Sequence, residues 1–232
     1  GLDTAAEVET AFDNARKFAP QVIVETFIPG NDYRLLVIDG KFVAAAQRVH
    51  AHIVGDGRAT VTDLIEQENI RRQPKPSEIW SLRPLLLDGE TDRFLRKVGM
   101  TKTSVPEPGQ QVFIRGTANI KTGGTSMHAT DRVHPDVRAM AVDAAAAVEL
   151  DIAGIDYLTP DISRSCRDVG GAICEVNCRP GPDVHALAGG DGLSRIINAQ
   201  LDYLFPEGSA ARISNLAVLG GELGTLSAHM IA

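Results

Sequence analysis

Cysteine is scarce in this chain. Only Cys166, Cys174 and Cys178 occur among 232 residues. An odd count without zinc-type spacing excludes a disulfide framework. Cys174 and Cys178 are expected as small buried core residues, with nothing near Cys174 to activate it as a nucleophile. Basic residues are outnumbered, 23 Lys and Arg against 30 Asp and Glu, for a net charge of −7. Nonspecific nucleic-acid binding needs basic surface and is excluded as a main role. An anionic ligand is not excluded, because local arginines can dominate a cleft. Long apolar runs are absent too, so no stretch is read as a membrane span. The opening GLDTAAEVETAFDNARKF reads as a polar helix rather than a signal peptide, and a cytoplasmic location is expected. There is no internal repeat and no low-complexity tract.

What is present is ordinary for a globular protein: 44% hydrophobic and 23% charged residues, enough for one large domain or two small ones. The first residue is glycine, and the apolar, glycine-rich segment NLAVLGGELGTLSAHMIA stops just as a helix begins. A piece of a longer protein is expected.

Thr4 to Phe18 reads as a helix, capped by Thr4 with Glu7 three residues on and closed by Pro20. QVIVETFI reads as a strand. YRLLVIDGKFVAAAQRV reads as a hairpin around Asp39-Gly40, a favoured tight-turn pair. A Gly-Asp-Gly turn and a helix capped by Thr62 follow. RRQPKPSEIW, with two prolines and three basic residues, reads as an exposed loop. DGETDRFLRKVG reads as a short helix, and QQVFIRGTANIKTGGTS as a strand running into a polar glycine loop. HPDVRAMAVDAAAAVEL is a secure helix with Pro135 near its first turn. IAGIDYLTPDI and GAICEVN read as neighbouring strands, and GLSRIINAQLDYLF as a closing helix.

The chemistry concentrates in AICEVNCRPG. Strand alternation places Ala172, Cys174 and Val176 on one face and Ile173, Glu175 and Asn177 on the other. Two oxygen donors at a strand end suit a hard cation such as magnesium. They would also suit an edge strand whose polar residues meet water. If the neighbouring strand pairs here, Asp156 adds a third oxygen donor. In VIVETFIPGNDYR, Glu25 and Asp32 flank a hinge-like loop, where a carboxylate pair could accept hydrogen bonds from a base amine and a sugar hydroxyl. Arg34 and Arg48 lie on the two arms of the hairpin, and two guanidinium forks facing one cleft suit phosphate or carboxylate. His50 and His52 share a strand face with no third ligand near, so a metal role is not expected for them.

These segments, with NIKTGGTSMHATDRVHPDV and CEVNCRPGPDVHAL, occur in the order found in ATP-grasp carboxylate–amine ligases. The resemblance covers nearly the whole chain. The Gly-Asp-Gly and Thr-Gly-Gly loops are similar in form to those of the cyanophycin synthetase branch. The resemblance implies an α+β fold: an ATP-grasp C-terminal lobe, mainly an antiparallel sheet with packed helices. It implies residues 1–24 as the tail of a smaller lobe, 25–211 as the C-terminal lobe, and 212–232 as the stub of a Mur-ligase-like domain. In that stub Thr225 stands where a P-loop lysine would be expected.

The resemblance also implies ATP and Mg²⁺ as cofactors. A carboxylate is activated as an acyl phosphate and an amino acid amine then forms an amide. Glu25, Thr26 and Ile28 match the adenine hinge and Asp32 the ribose contact. Arg34 and Arg48 match catalytic positions near the transferred phosphate. Asp156, Glu175 and Asn177 match magnesium ligands. Asn119, Gly123 and Gly124 match one substrate loop, and Arg179, Gly181 and His185 another. The implied partners are an amino acid and a peptide-like carboxylate, with neither nucleic acid nor membrane; a second copy of the chain could cover residual apolar surface. The lysines and glycine-rich loop of the first lobe would precede residue 1, so the chain alone is expected to be inactive. Ligases resembling glutathione synthetase or N-acetylglutaminylglutamine synthetase, and a non-catalytic nucleotide-binding or assembly module, stay open as alternatives.

Overall fold

A computed structural model of the chain describes residue 2 and residues 4–76 and 79–209. The C-terminal segment read as a domain stub lies outside the described residues, as do Ser77 and Glu78 of the basic loop.

Helix α1 (Ala5–Arg16) starts where expected. The Thr4 side chain accepts from the Glu7 amide, while the Glu7 carboxylate accepts from the Thr4 amide, which satisfies backbone donors that a helix start leaves unpaired. The segment 21–28, expected as a strand, is not one. It pairs with no strand among the described residues, and its apolar side chains stand open, Ile23 at 83% exposure. A β-rich composition supplies the propensity for a strand but not the neighbour that a ladder requires.

Strands β1 (Asn31–Ile38) and β2 (Lys41–Val49) form the expected hairpin. Asp39 and Gly40 both adopt positive φ, 52° and 65°, as a two-residue primed turn requires. The chain then leaves this sheet after Val49. It builds a separate unit from β3 (His52–Val54), α2 (Val61–Arg71), α3 (Gly89–Lys97) and β4 (Gln111–Phe113). This unit has its own core, including Ile53, Val61, Ile65, Leu95, Val112 and Ile114. The cap of α2 is Thr60, not Thr62: Thr60 and Asp63 form a reciprocal capping box, and the Thr62 hydroxyl donates instead to the Lys102 carbonyl. The chain returns at β5 (Thr125–His128), whose Thr125 pairs with Val49.

Helix α4 (Pro135–Ala147) leads to β6 (Ile152–Thr159), the short α5 (Cys166–Val169) and β7 (Ala172–Asn177). Helices α6 (Asp183–Leu187) and α7 (Gly192–Leu204) follow. The main sheet is antiparallel throughout, in the order β5-β2-β1-β6-β7. One face packs on α4 through Leu35, Val37, Ala45, Ile155, Tyr157, Val137 and Ala141, each large apolar side chain contributing about 1.5–3 kcal/mol. The other face is divided. At one end α7 covers Leu36, Ile38 and Ala44 through Ile196, and α6 covers Ala46 through Val184. The rest of that face carries charge. Among the described residues no helix is long and apolar enough to cross a membrane.

Candidate functional site

Pairing register assembles the charged face. Asp32 stands opposite Arg48, Arg34 opposite Asp156, and Asp156 opposite Glu175. Cross-strand partners share a face, so five charged residues from four strands lie side by side. Arg48 Nη2 contacts Asp32 Oδ1 at 2.6 Å and Asp156 Oδ2 at 3.0 Å. Arg34 Nε donates to Asp156 Oδ1 at 2.5 Å, and its Nη2 lies 3.3 Å from Oδ2. The Arg34, Arg48 and Asp156 side chains are each less than one-fifth exposed, so these pairs are screened far less than surface ones. Burial raises the pKa of Asp32 by more than Arg48 lowers it, and the neighbouring Asp156 adds to the rise. Burial also works against the Arg48 charge, but Asp32 and Asp156 outweigh it and hold the guanidinium pKa above its usual value.

The strand β7 departs from simple alternation. Asp156 pairs with Glu175 but Tyr157 pairs with Ile173, so Cys174 is the extra residue of a bulge. Ile173 therefore lies opposite core Tyr157, on the face away from Glu175, and not with Glu175 as alternation predicts. Cys174 and Cys178 are exposed rather than buried. Partial desolvation, then the carboxylates of Asp32, Asp156 and Glu25, push the Cys174 thiol pKa up. A raised pKa leaves the thiol a poor nucleophile.

Cys174 also lines a cavity of about 760 Å³ between α1, the 22–28 segment and the β6–β7 edge. Its walls are mostly apolar, including Val8, Phe12, Phe27 and Leu158, and Glu25, Thr26 and Ile28 lie in them. A largely apolar cleft with a few polar groups is the usual form of a small-molecule site.

The Glu175 side chain is exposed and makes no hydrogen bond or ion pair among the described residues. The Asn177 amide nitrogen donates to the Gly154 carbonyl at 3.2 Å, which leaves its side-chain oxygen without a donor in that bond. Among the described residues no group of three or more His, Cys, Asp or Glu side chains could hold a metal ion. Asp156 and Glu175 are thus a carboxylate pair with the Asn177 amide two residues on from Glu175. As a set of hard oxygen donors, it fits magnesium.

The remaining predicted positions divide. Asn119 caps a 3₁₀ turn, its side chain accepting from the Lys121 amide at 2.8 Å. Gly123 sits at φ 92°, and a Cβ there would meet Leu85 at 3.0 Å. Arg179 and Gly181 are exposed on the loop before α6. His185 is only 2% exposed, and neither ring nitrogen finds a partner among the described residues. Burial, with Arg34 and then His128 adding their charge, lowers its pKa to about 4. His50 and His52 pack edge-on against Phe113, each ring 5.9 Å away.

A scan against protein-family models finds no match. Comparison with curated proteins does. Over 227 residues, 97% of the chain, the sequence is 40% identical to cyanophycin synthetase of Nostoc sp., covering 25% of that protein. Over 236 residues it is 40% identical to cyanophycin synthetase of Crocosphaera subtropica, covering 100% of this chain and 27% of that one. The chain is homologous to one region of the cyanophycin synthetases. It spans about a quarter of the length of these relatives. It is also 33% identical over 217 residues to a glutathione biosynthesis bifunctional protein of Streptococcus mutans, covering 89% of this chain and 28% of that one. Among solved structures, a bifunctional glutathione synthetase from Pasteurella multocida superposes with a TM-score of 0.62 at 26% identity, over 75% of this chain and 24% of that one. The resemblance to ATP-grasp ligases of the cyanophycin synthetase branch is borne out, and so is the α+β fold.

Two residues of this homologous region carry no signal in the sequence. Arg72, expected in an exposed loop, has a side chain only 2% exposed. It donates to the Gly123 carbonyl at 2.7 Å, the Arg83 carbonyl at 2.9 Å and Glu68 at 2.9 Å. Gly154 leaves room for Arg34: a Cβ there would lie 2.6 Å from Pro180 Cβ and 3.2 Å from Arg34 Cδ. Only the β1–β6 register, which places Leu36 opposite Gly154 and Arg34 opposite Asp156, reveals that need.

Proposed function

We propose that this chain is the nucleotide- and metal-binding part of an ATP-dependent carbon–nitrogen ligase that activates a carboxylate as an acyl phosphate and joins it to an amino acid, as in the cyanophycin synthetase type. The observation that carries the reading is the juxtaposition of the charged face with the apolar cavity, within a region homologous to cyanophycin synthetase. In this reading the cavity takes the base, with Glu25, Thr26 and Ile28 at its edge. Asp32 meets the ribose. Asp156, Glu175 and Asn177 hold Mg²⁺, which when bound neutralises phosphate charge.

Arg34 and Arg48 present fixed guanidinium groups to the phosphate being transferred and to the activated carboxylate. Their ion pairs with Asp32 and Asp156 hold both guanidinium groups beside the place where that phosphate would lie. The Asn119–Gly124 loop and the Arg179–His185 segment border the amino acid acceptor, with His185 acting from behind the surface. The substrates are an amino acid and a peptide-like carboxylate, and the compartment is the cytoplasm.

Calorimetric titration tests the reading. ATP should bind the chain only with Mg²⁺, and Glu175→Gln should weaken that binding by about tenfold or more, because it removes a ligand charge without changing volume. Glu175 is exposed and unpartnered, so the variant should unfold at the wild-type temperature. Equal ATP affinity in both proteins would remove Glu175 from the metal site. A panel of amino acids and short acidic peptides, assayed for phosphate release with the whole ligase, identifies the acceptor.

A further inference from the structure

Both oxygens of Asp156 are already engaged by guanidinium groups. Arg34 reaches both, with Nε 2.5 Å from Oδ1 and Nη2 3.3 Å from Oδ2. Arg48 reaches Oδ2 at 3.0 Å and is itself anchored to Asp32 at 2.6 Å. Directly opposite, the Glu175 side chain is exposed and makes no hydrogen bond or ion pair among the described residues. One carboxylate of the ligand pair is thus neutralised by protein cations while the other is open to solvent. Both guanidinium groups thus sit on the oxygens that a divalent ion would need.

From this we infer that Arg34 and Arg48 form a cation lock on Asp156. A free divalent ion must compete with two guanidinium groups for the same oxygens, so the metal enters only with the nucleotide, whose phosphates draw the arginines away. The inference rests on the nucleotide and magnesium reading above and adds an order to it: phosphate and metal bind together, and metal alone is refused. The same exchange delivers the arginines from the carboxylate to the phosphate. Like charges kept apart until an anion arrives is a coupling between two ligands.

The test uses Mn²⁺ alone as the probe, read by electron paramagnetic resonance on the 232-residue chain. Arg48→Gln and Arg34→Gln should each bind Mn²⁺ about tenfold more tightly than wild type without any nucleotide. Adding Glu175→Gln to either should abolish the gain, which places the ion at this pair. Unchanged or weaker Mn²⁺ binding in the folded arginine variants would overturn the lock. A second measurement needs no variant: at saturating Mg²⁺ and ATP the Arg34 Nε–H resonance should shift as its partner changes from carboxylate to phosphate, and an unaltered resonance would overturn the lock. Mn²⁺ bound with ATP but equally weak alone in every variant rejects the lock and leaves the nucleotide reading standing. No Mn²⁺ binding under any condition, ATP included, rejects both.

Discussion

The Arg72 guanidinium donates to the Gly123 carbonyl at 2.7 Å, so the last turn of helix α2 and the Thr-Gly-Gly loop are one mechanical piece. The same group satisfies the Arg83 carbonyl and pairs with Glu68. Arg72→Met keeps most of the volume but leaves those acceptors unsatisfied. It should cost about 2 kcal/mol, less than a fully buried pair because Glu68 keeps some solvent. Urea unfolding measures this, and a loss under about 0.5 kcal/mol would show that water replaces the guanidinium without penalty.

Gly154→Ala should disturb Arg34 from a distance of one strand. The new methyl would sit 2.6 Å from Pro180 Cβ and 3.2 Å from the Arg34 side chain. Overpacking of this kind costs about 1–3 kcal/mol, and Mg²⁺-dependent ATP binding should weaken with it. Thermal unfolding and an ATP titration on the same variant check both, and unchanged ATP affinity would argue that Arg34 tolerates displacement.

His185 should make the fold acid-sensitive. Its pKa is lowered from 6.5 to about 4, first by burial and then by Arg34 and His128. The unfolded chain therefore binds the proton more readily. The contribution is complete above the unfolded pKa and is lost as pH falls toward the folded one. Between pH 6.5 and pH 5 the loss should be about 1.5 kcal/mol. Asp32, whose pKa is raised by burial, works the other way at the acid end. His185→Leu should flatten the dependence of unfolding free energy on pH across this window; an equally steep curve would assign the acid sensitivity elsewhere.

The cap of α2 separates two adjacent threonines. Thr60→Ala removes half of a reciprocal capping box and should cost about 1 kcal/mol. Thr62→Ala removes one hydroxyl donor to Lys102 and should cost less. Denaturant midpoints of the two variants decide the order.

Legibility in the sequence followed the range of the interaction. Thr4 with Glu7 and Asp39 with Gly40 act within a few residues, and both were readable as a helix start and a tight turn. Asp156 and Glu175 were readable as neighbours because two adjacent apolar runs each carried one carboxylate, although Asp156 stands in the middle of β6 rather than near its end. The bulge at Cys174 was not, since period-two alternation assumes that no residue is extra. Thr62 stood beside the helix start, but the box needed an acid three residues after the cap, and Asp63 is three residues after Thr60. Arg72 looked like loop charge because two of its three acceptors are carbonyls, which have no sequence identity. The segment 21–28 had the composition of a strand, and a ladder depends on a neighbour.

The unit between β2 and β5 leaves the main sheet at Val49 and comes back at Thr125, and those two residues are paired on one rung. Its ends therefore meet, and it holds its own core. Topologically it is a cassette. Its own elements β3, α2, α3 and β4 lie outside the register of the strands that carry Asp32, Arg34, Arg48 and Asp156, and Ile120 near its return packs on Ala46 of β2. The proposed acceptor loop, Asn119 to Gly124, rides at the return end of that cassette. Under the proposed reading, changes within that unit act on the amine side while Asp32, Arg34, Arg48 and Asp156 keep their pairing.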